Sequence, residues 1–86
     1  MKTEKILQAG FHKTSENTYE TIEIIKGVRI QSIIETDGHT GVLIFRVSDG
    51  GELHASHVTR RTESESELLF EWKSLESIMG RLADRW

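Results

Sequence analysis

The stretch Gln31-Ser32-Ile33-Ile34-Glu35-Thr36-Asp37-Gly38-His39-Thr40-Gly41-Val42-Leu43-Ile44-Phe45-Arg46-Val47-Ser48-Asp49-Gly50-Gly51 decides the fold. It contains two Asp-Gly turns, Asp37-Gly38 and Asp49-Gly50-Gly51, each between β-branched and aromatic residues. Tight turns that join twisted antiparallel strands need positive φ, which glycine adopts without steric cost, so each Asp-Gly predicts a hairpin. Two turns predict three consecutive strands: Gln31–Glu35, Val42–Val47 and Glu52–Thr59.

The central strand is apolar on both sides. Leu43, Phe45 and Val47 form one face, and Val42, Ile44 and Arg46 the other. A strand of this kind needs cover on both faces, which one helix cannot supply. Val42 and Ile44 are therefore candidate interface residues, and a homodimer is the expectation. Upstream, Thr18–Ile25 reads as a strand with Ile22 and Ile24 on one face, and Lys26-Gly27 permits a turn. In the next strand Val28, Ile30, Ser32 and Ile34 share a face, while Ile33 interrupts the polar alternation of the opposite one. Glu4 to His12 is read as a short strand weakened by Gly10, and polar Lys13 to Asn17 as a loop.

The chain ends in an amphipathic helix, with Leu75, Ile78, Met79, Leu82, Ala83 and Trp86 along one stripe. Its start has two readings. Ser64 with Glu67 forms a capping box, and Leu68, Leu69 and Trp72 extend the stripe backwards, which starts the helix near Glu65. Alternatively, Leu68, Phe70 and Trp72 alternate as a last strand over Glu67–Trp72, Ser74 caps the helix, and the helix begins at Leu75. The second reading is preferred. The two give Phe70 opposite exposures.

The resulting expectation is an α+β fold over residues 1–86 as one domain: an antiparallel β-meander of four to six strands, with one C-terminal amphipathic helix packed on its concave face. Eighty-six residues allow one modest core. The chain has no cysteine and no proline, so disulfides and thiolate metal sites are excluded and no Pro-rich linker divides it. Fourteen acidic against eleven basic residues give a net charge of −3, which disfavours a global nucleic-acid footprint. Neither a signal-peptide core nor a membrane-length apolar run is present, and the expected location is the cytoplasm.

Chemistry-bearing patterns are sparse. His54 and His57, three apart on a strand, face opposite sides unless a bulge intervenes, so the ordinary reading is two exposed histidines and no metal site. His39 sits in a turn. Glu63, Glu65, Glu67 and Glu71 read as a solvated stretch that favours a helix N-terminus. No nucleophile elbow, phosphate loop, dinucleotide fingerprint or metalloprotease helix occurs, so catalysis and cofactors are not expected.

Three functions remain in view. The first is a small non-catalytic protein-binding or inhibitory module, of the size and charge of immunity proteins, phage-encoded inhibitors and mobile-element cassette products. Its interface would comprise Val42, Ile44, Phe70, Trp72 and Trp86, since aromatic residues dominate interface energetics. The second is a single-stranded nucleic-acid binder using Arg29, Arg46, Arg60 and Arg61. The order of antiparallel strands followed by one helix is similar to the layout of small single-strand-binding transcriptional coactivators, a likeness of topology alone. The third is a ligand-binding or enzymatic domain with His54 or His57 in a sheet-lined pocket.

Overall fold

The computed structural model describes residues 1–83, with side-chain environments through residue 79. A short helix α1 (Glu4–Gln8) precedes strands β1 (His12–Ser15), β2 (Thr18–Ile25), β3 (Val28–Thr36), β4 (Gly41–Asp49) and β5 (Glu52–Val58), and helix α2 (Glu65–Ala83) follows. The strands form one antiparallel sheet in the order β1-β2-β3-β4-β5, and α2 packs across it, so the fold is α+β as expected.

Three turns set the registers. Lys26 and Gly27 both have positive φ, as do Gly50 and Gly51, so Ile25 faces Val28 and Asp49 faces Glu52 across two-residue loops. The turn at Asp37 differs from the tight hairpin expected there. It is a four-residue loop, and the Asp37 carboxylate accepts from the backbone N–H groups of His39 (2.9 Å) and Thr40 (2.7 Å) and from the Thr40 hydroxyl (3.1 Å). Here aspartate organises the turn with its side chain, and Gly38 supplies one positive φ.

With these registers, Tyr19, Ile30, Ser32, Ile34, Leu43, Phe45 and Val47 stand on the inner face and are buried. They close a core with Ile6, Phe11, Leu68 and Trp72, against which Leu75 and Met79 are partly buried.

The N-terminal strand and loop are both corrected. Residues 4–8 form a helix that buries Ile6, Gly10 breaks it at φ 104°, and Phe11 inserts into the core. Within the expected loop, residues 13–15 belong to β1, paired to β2 through a bulge between Lys13 and Ser15. Every residue of β1 is exposed, so no alternation could announce it.

The preferred strand over Glu67–Trp72 is corrected as well, because those residues lie in α2. Ser64 is the cap: its hydroxyl accepts from the Glu67 N–H at 3.2 Å. The Glu67 carboxylate takes the Thr62 hydroxyl hydrogen bond, and Thr62 Oγ1 accepts from the Ser64 N–H. Leu68, Trp72, Leu75 and Met79 then turn toward the sheet at helical spacing, leaving Phe70 72% exposed. The cap and four inward side chains outweigh the exposure of one aromatic.

Candidate functional site: the uncovered sheet face

The outer face of the sheet follows from the same registers. Its rows run Glu20-Ile33-Ile44-Val58, Ile22-Gln31-Arg46-Ser56 and Ile24-Arg29-Ser48-Leu53 across β2 to β5. Glu35 and Val42 flank the first row. No described helix lies on this side. Ile22, Ile24, Leu53 and Val58 are all exposed, at 43%, 69%, 57% and 58%. Ile33 is buried and Ile44 and Val42 half-buried among their neighbours' side chains. The outcome is an apolar row, Ile33-Ile44-Val58, joined along β2 by Ile22 and Ile24, with Glu20 and Glu35 beside it and with Gln31, Arg46 and Ser56 separating it from Arg29 and Leu53, an arrangement suited to contact with another surface.

The expected interface residues do not converge. Val42 and Ile44 belong to the outer face, but Phe70 projects from the far side of α2, where it lines a shallow groove with Lys73, Ser74, Ser77 and Ile78. Trp72 is interior: its indole Nε1–H donates to buried Ser32 Oγ at 3.0 Å, and its ring meets Phe11 edge-on at 4.9 Å. It is withdrawn from the interface set as a core residue, because its polar atom is satisfied only inside the fold. Trp86 lies outside the described residues.

The four arginines separate into two groups. Arg29 and Arg46 are diagonal neighbours on the outer face. Arg60 and Arg61 lie in the segment between β5 and α2, where Arg61 Nη1 is 3.5 Å from Asp37 Oδ2 and donates to Thr40 Oγ1 at 3.2 Å. Among the described residues no aromatic side chain stands on the outer face, since Tyr19 and Phe45 point into the core. The stacking platform that usually accompanies basic residues in single-strand-binding sheets is therefore missing there.

A bulge does intervene between the two histidines. Val47 pairs with Ala55 and Ser48 with Leu53, so His54 is the extra residue of β5. The two nonetheless line separate grooves. His54 lies with Lys26, Val28 and Asp49, and His57 with residues 58–62, Glu67, Leu68 and Glu71 around about 640 Å³ of open space. Among the described residues no three His, Cys, Asp or Glu side chains are grouped to hold a metal ion.

Two carboxylates are shifted from their ordinary range, each with a structural cause. Asp37 is lowered to about 2 by the backbone N–H groups of Thr40 and His39, with help from the Thr40 hydroxyl and the Arg61 guanidinium. Glu76 of α2 is raised by partial burial and by a hydrogen bond and charge repulsion with Glu23 of β2, which Lys73 partly offsets. Buried Glu65 serves as a link: its carboxylate accepts the Lys5 backbone N–H at 3.1 Å, tying α1 to the start of α2.

No described helix is long and apolar enough to cross a membrane. Comparison of the chain with models of known protein families, with curated proteins and with solved structures yields no match.

Proposed function

We propose that this chain is a small, non-catalytic binding module that acts through protein–protein contact, with the outer sheet face as its docking surface. The observation that carries this reading is the row Ile33-Ile44-Val58, extended along β2 by Ile22 and Ile24, on a face that no described element covers. Burying such side chains contributes about 25 cal/mol for each Å² withdrawn from water, a gain open to a partner surface. Arginines at one end and glutamates at the other give the contact a direction. The charge of the whole chain and the absence of stacking aromatics on this face among the described residues favour a protein over a nucleic acid as that partner.

The test is site-specific photocrosslinking in the native host. A photoreactive amino acid at Ile24, on the outer face, should yield a discrete adduct with another protein, while the same group at Ser74 on the far side of α2 should not. The adduct should disappear when Ile22→Lys is added. Equal labelling from both sites, or none from Ile24, refutes the assignment.

A further inference from the structure

The groove beside His57 lies where the end of β5 and the segment leading into α2 meet the first two turns of that helix, with buried Leu68 among its lining residues. Both walls are anchored. On the sheet side the Leu43 N–H donates to Thr59 Oγ1 at 3.0 Å, and Thr62 bridges to Gly41 through backbone hydrogen bonds of 2.8 and 3.0 Å. On the helix side the Ser64 hydroxyl caps α2 and Leu68 is held in the core. The Thr62 hydroxyl, donating to the Glu67 carboxylate, joins the two walls.

The walls carry opposite charge. His57, on the inner side of β5 opposite Phe45, and Arg60 line one, while Glu67 and Glu71, four positions apart on a single face of α2, line the other. Among the described residues no ion pair crosses between them. Arg61 turns away to Asp37, Glu67 is engaged by Thr62, and the side chains of His57, Arg60 and Glu71 have no partner among the described residues. The open space of about 640 Å³ is within the range that holds small ligands. An anion entering it gains Arg60 but meets two carboxylates, and a cation gains the carboxylates but meets Arg60. A molecule with one charge of each sign at its two ends satisfies both walls.

We propose that this groove binds a short zwitterionic peptide, its terminal carboxylate at Arg60 and His57 and its terminal ammonium at Glu71. A free amino acid carries both charges on one carbon, whereas a peptide separates them by about 3.5 Å for each added residue, as two facing walls require. The groove lies on the inner side of the sheet's rim, so the proposal is independent of the outer-face reading.

The experiment titrates the isotopically labelled full chain with trialanine and follows its amide chemical shifts. Saturable shifts are expected at residues 57–62 and 67–71. N-acetyl-trialanine, trialanine amide and free alanine should each bind about fivefold more weakly, the upper range for loss of an exposed ion pair. Trialanine should lose as much on Arg60→Ala and on Glu71→Gln, both exposed positions whose change should keep the native circular dichroism. No saturable shift, shifts centred elsewhere, or an affinity unchanged by blocking either terminus overturns the proposal. Should a variant fail to fold, the blocked peptides still decide.

Discussion

The inner and outer faces of one sheet are built from the same residue types and meet different fates. On β3, Ile34 is fully buried, whereas on β2 Ile24 is 69% exposed, although both are isoleucines in regular antiparallel ladders. The difference lies in what stands above them. Ile34 sits in the core that Trp72 and Leu68 help to close from α2, while Ile24 faces outward where no described element passes. Branched side chains suit a pleated surface whether or not anything covers it, so strand propensity and burial are separate properties.

The largest way to break this contrast is to remove the inner cover. Trp72→Ala deletes the ring that meets Phe11 and leaves Ser32 Oγ buried without its donor, and should cost about 3–5 kcal/mol in urea unfolding. The corresponding truncation outside, Ile24→Ala, should stay within about 0.5 kcal/mol. Comparable losses at both positions would mean that the outer face is already covered in the free protein.

A smaller effect tests the rim of the inner face, where α2 meets β2. Glu76 is raised above its ordinary 4.5, so its contribution to stability is fully present below that value and is lost as pH rises through the shifted one. At neutral pH the partial burial of Glu76 and its closeness to Glu23 therefore oppose folding. Glu76→Gln should raise the thermal midpoint at pH 7, and the gain should fade below about pH 4.5. An equal gain at every pH would point to a cause other than ionisation.

The smallest effect concerns the turn that joins β3 to β4. Asp37 is held at about 2 against an ordinary 3.8, so its stabilisation is present above pH 3.8 and is lost as pH falls toward 2. Asp37→Asn should flatten that acid limb of the thermal midpoint and leave the two faces otherwise unchanged. A variant with the wild-type acid slope would contradict the part assigned to the carboxylate.

Much of the sheet was legible because its signals are local. The positive-φ demands of Gly27, Gly50 and Gly51 and the period-two alternation of β2, β3 and β4 involve neighbours only a few positions away. β1 escaped because an edge strand wet on both faces has no apolar pattern. Phe11 falls within the segment read as a short strand, and its place in the core is not legible there because its burial depends on the distant Trp72. Of the candidate site, Val42 and Ile44 are legible because β4 is apolar on both faces. Ile22 and Ile24 lay on a recognised strand, but sequence alone could not tell whether their face was the covered one.

The sequence by itself determined the antiparallel meander, the two sets of side chains on its central strands, and the impossibility of disulfide or thiolate chemistry. Those are consequences of backbone geometry and composition, which need no distant partner. Tertiary structure alone decided that residues 65–83 are one helix, that residues 4–8 are another, and which sheet face is sealed. Each of these rests on contacts between residues far apart in the chain, such as Trp72 with Ser32 and Glu65 with Lys5. For a segment such as Leu68-Leu69-Phe70-Glu71-Trp72, which alternates as well as it spirals, the choice belongs to the surface it packs against.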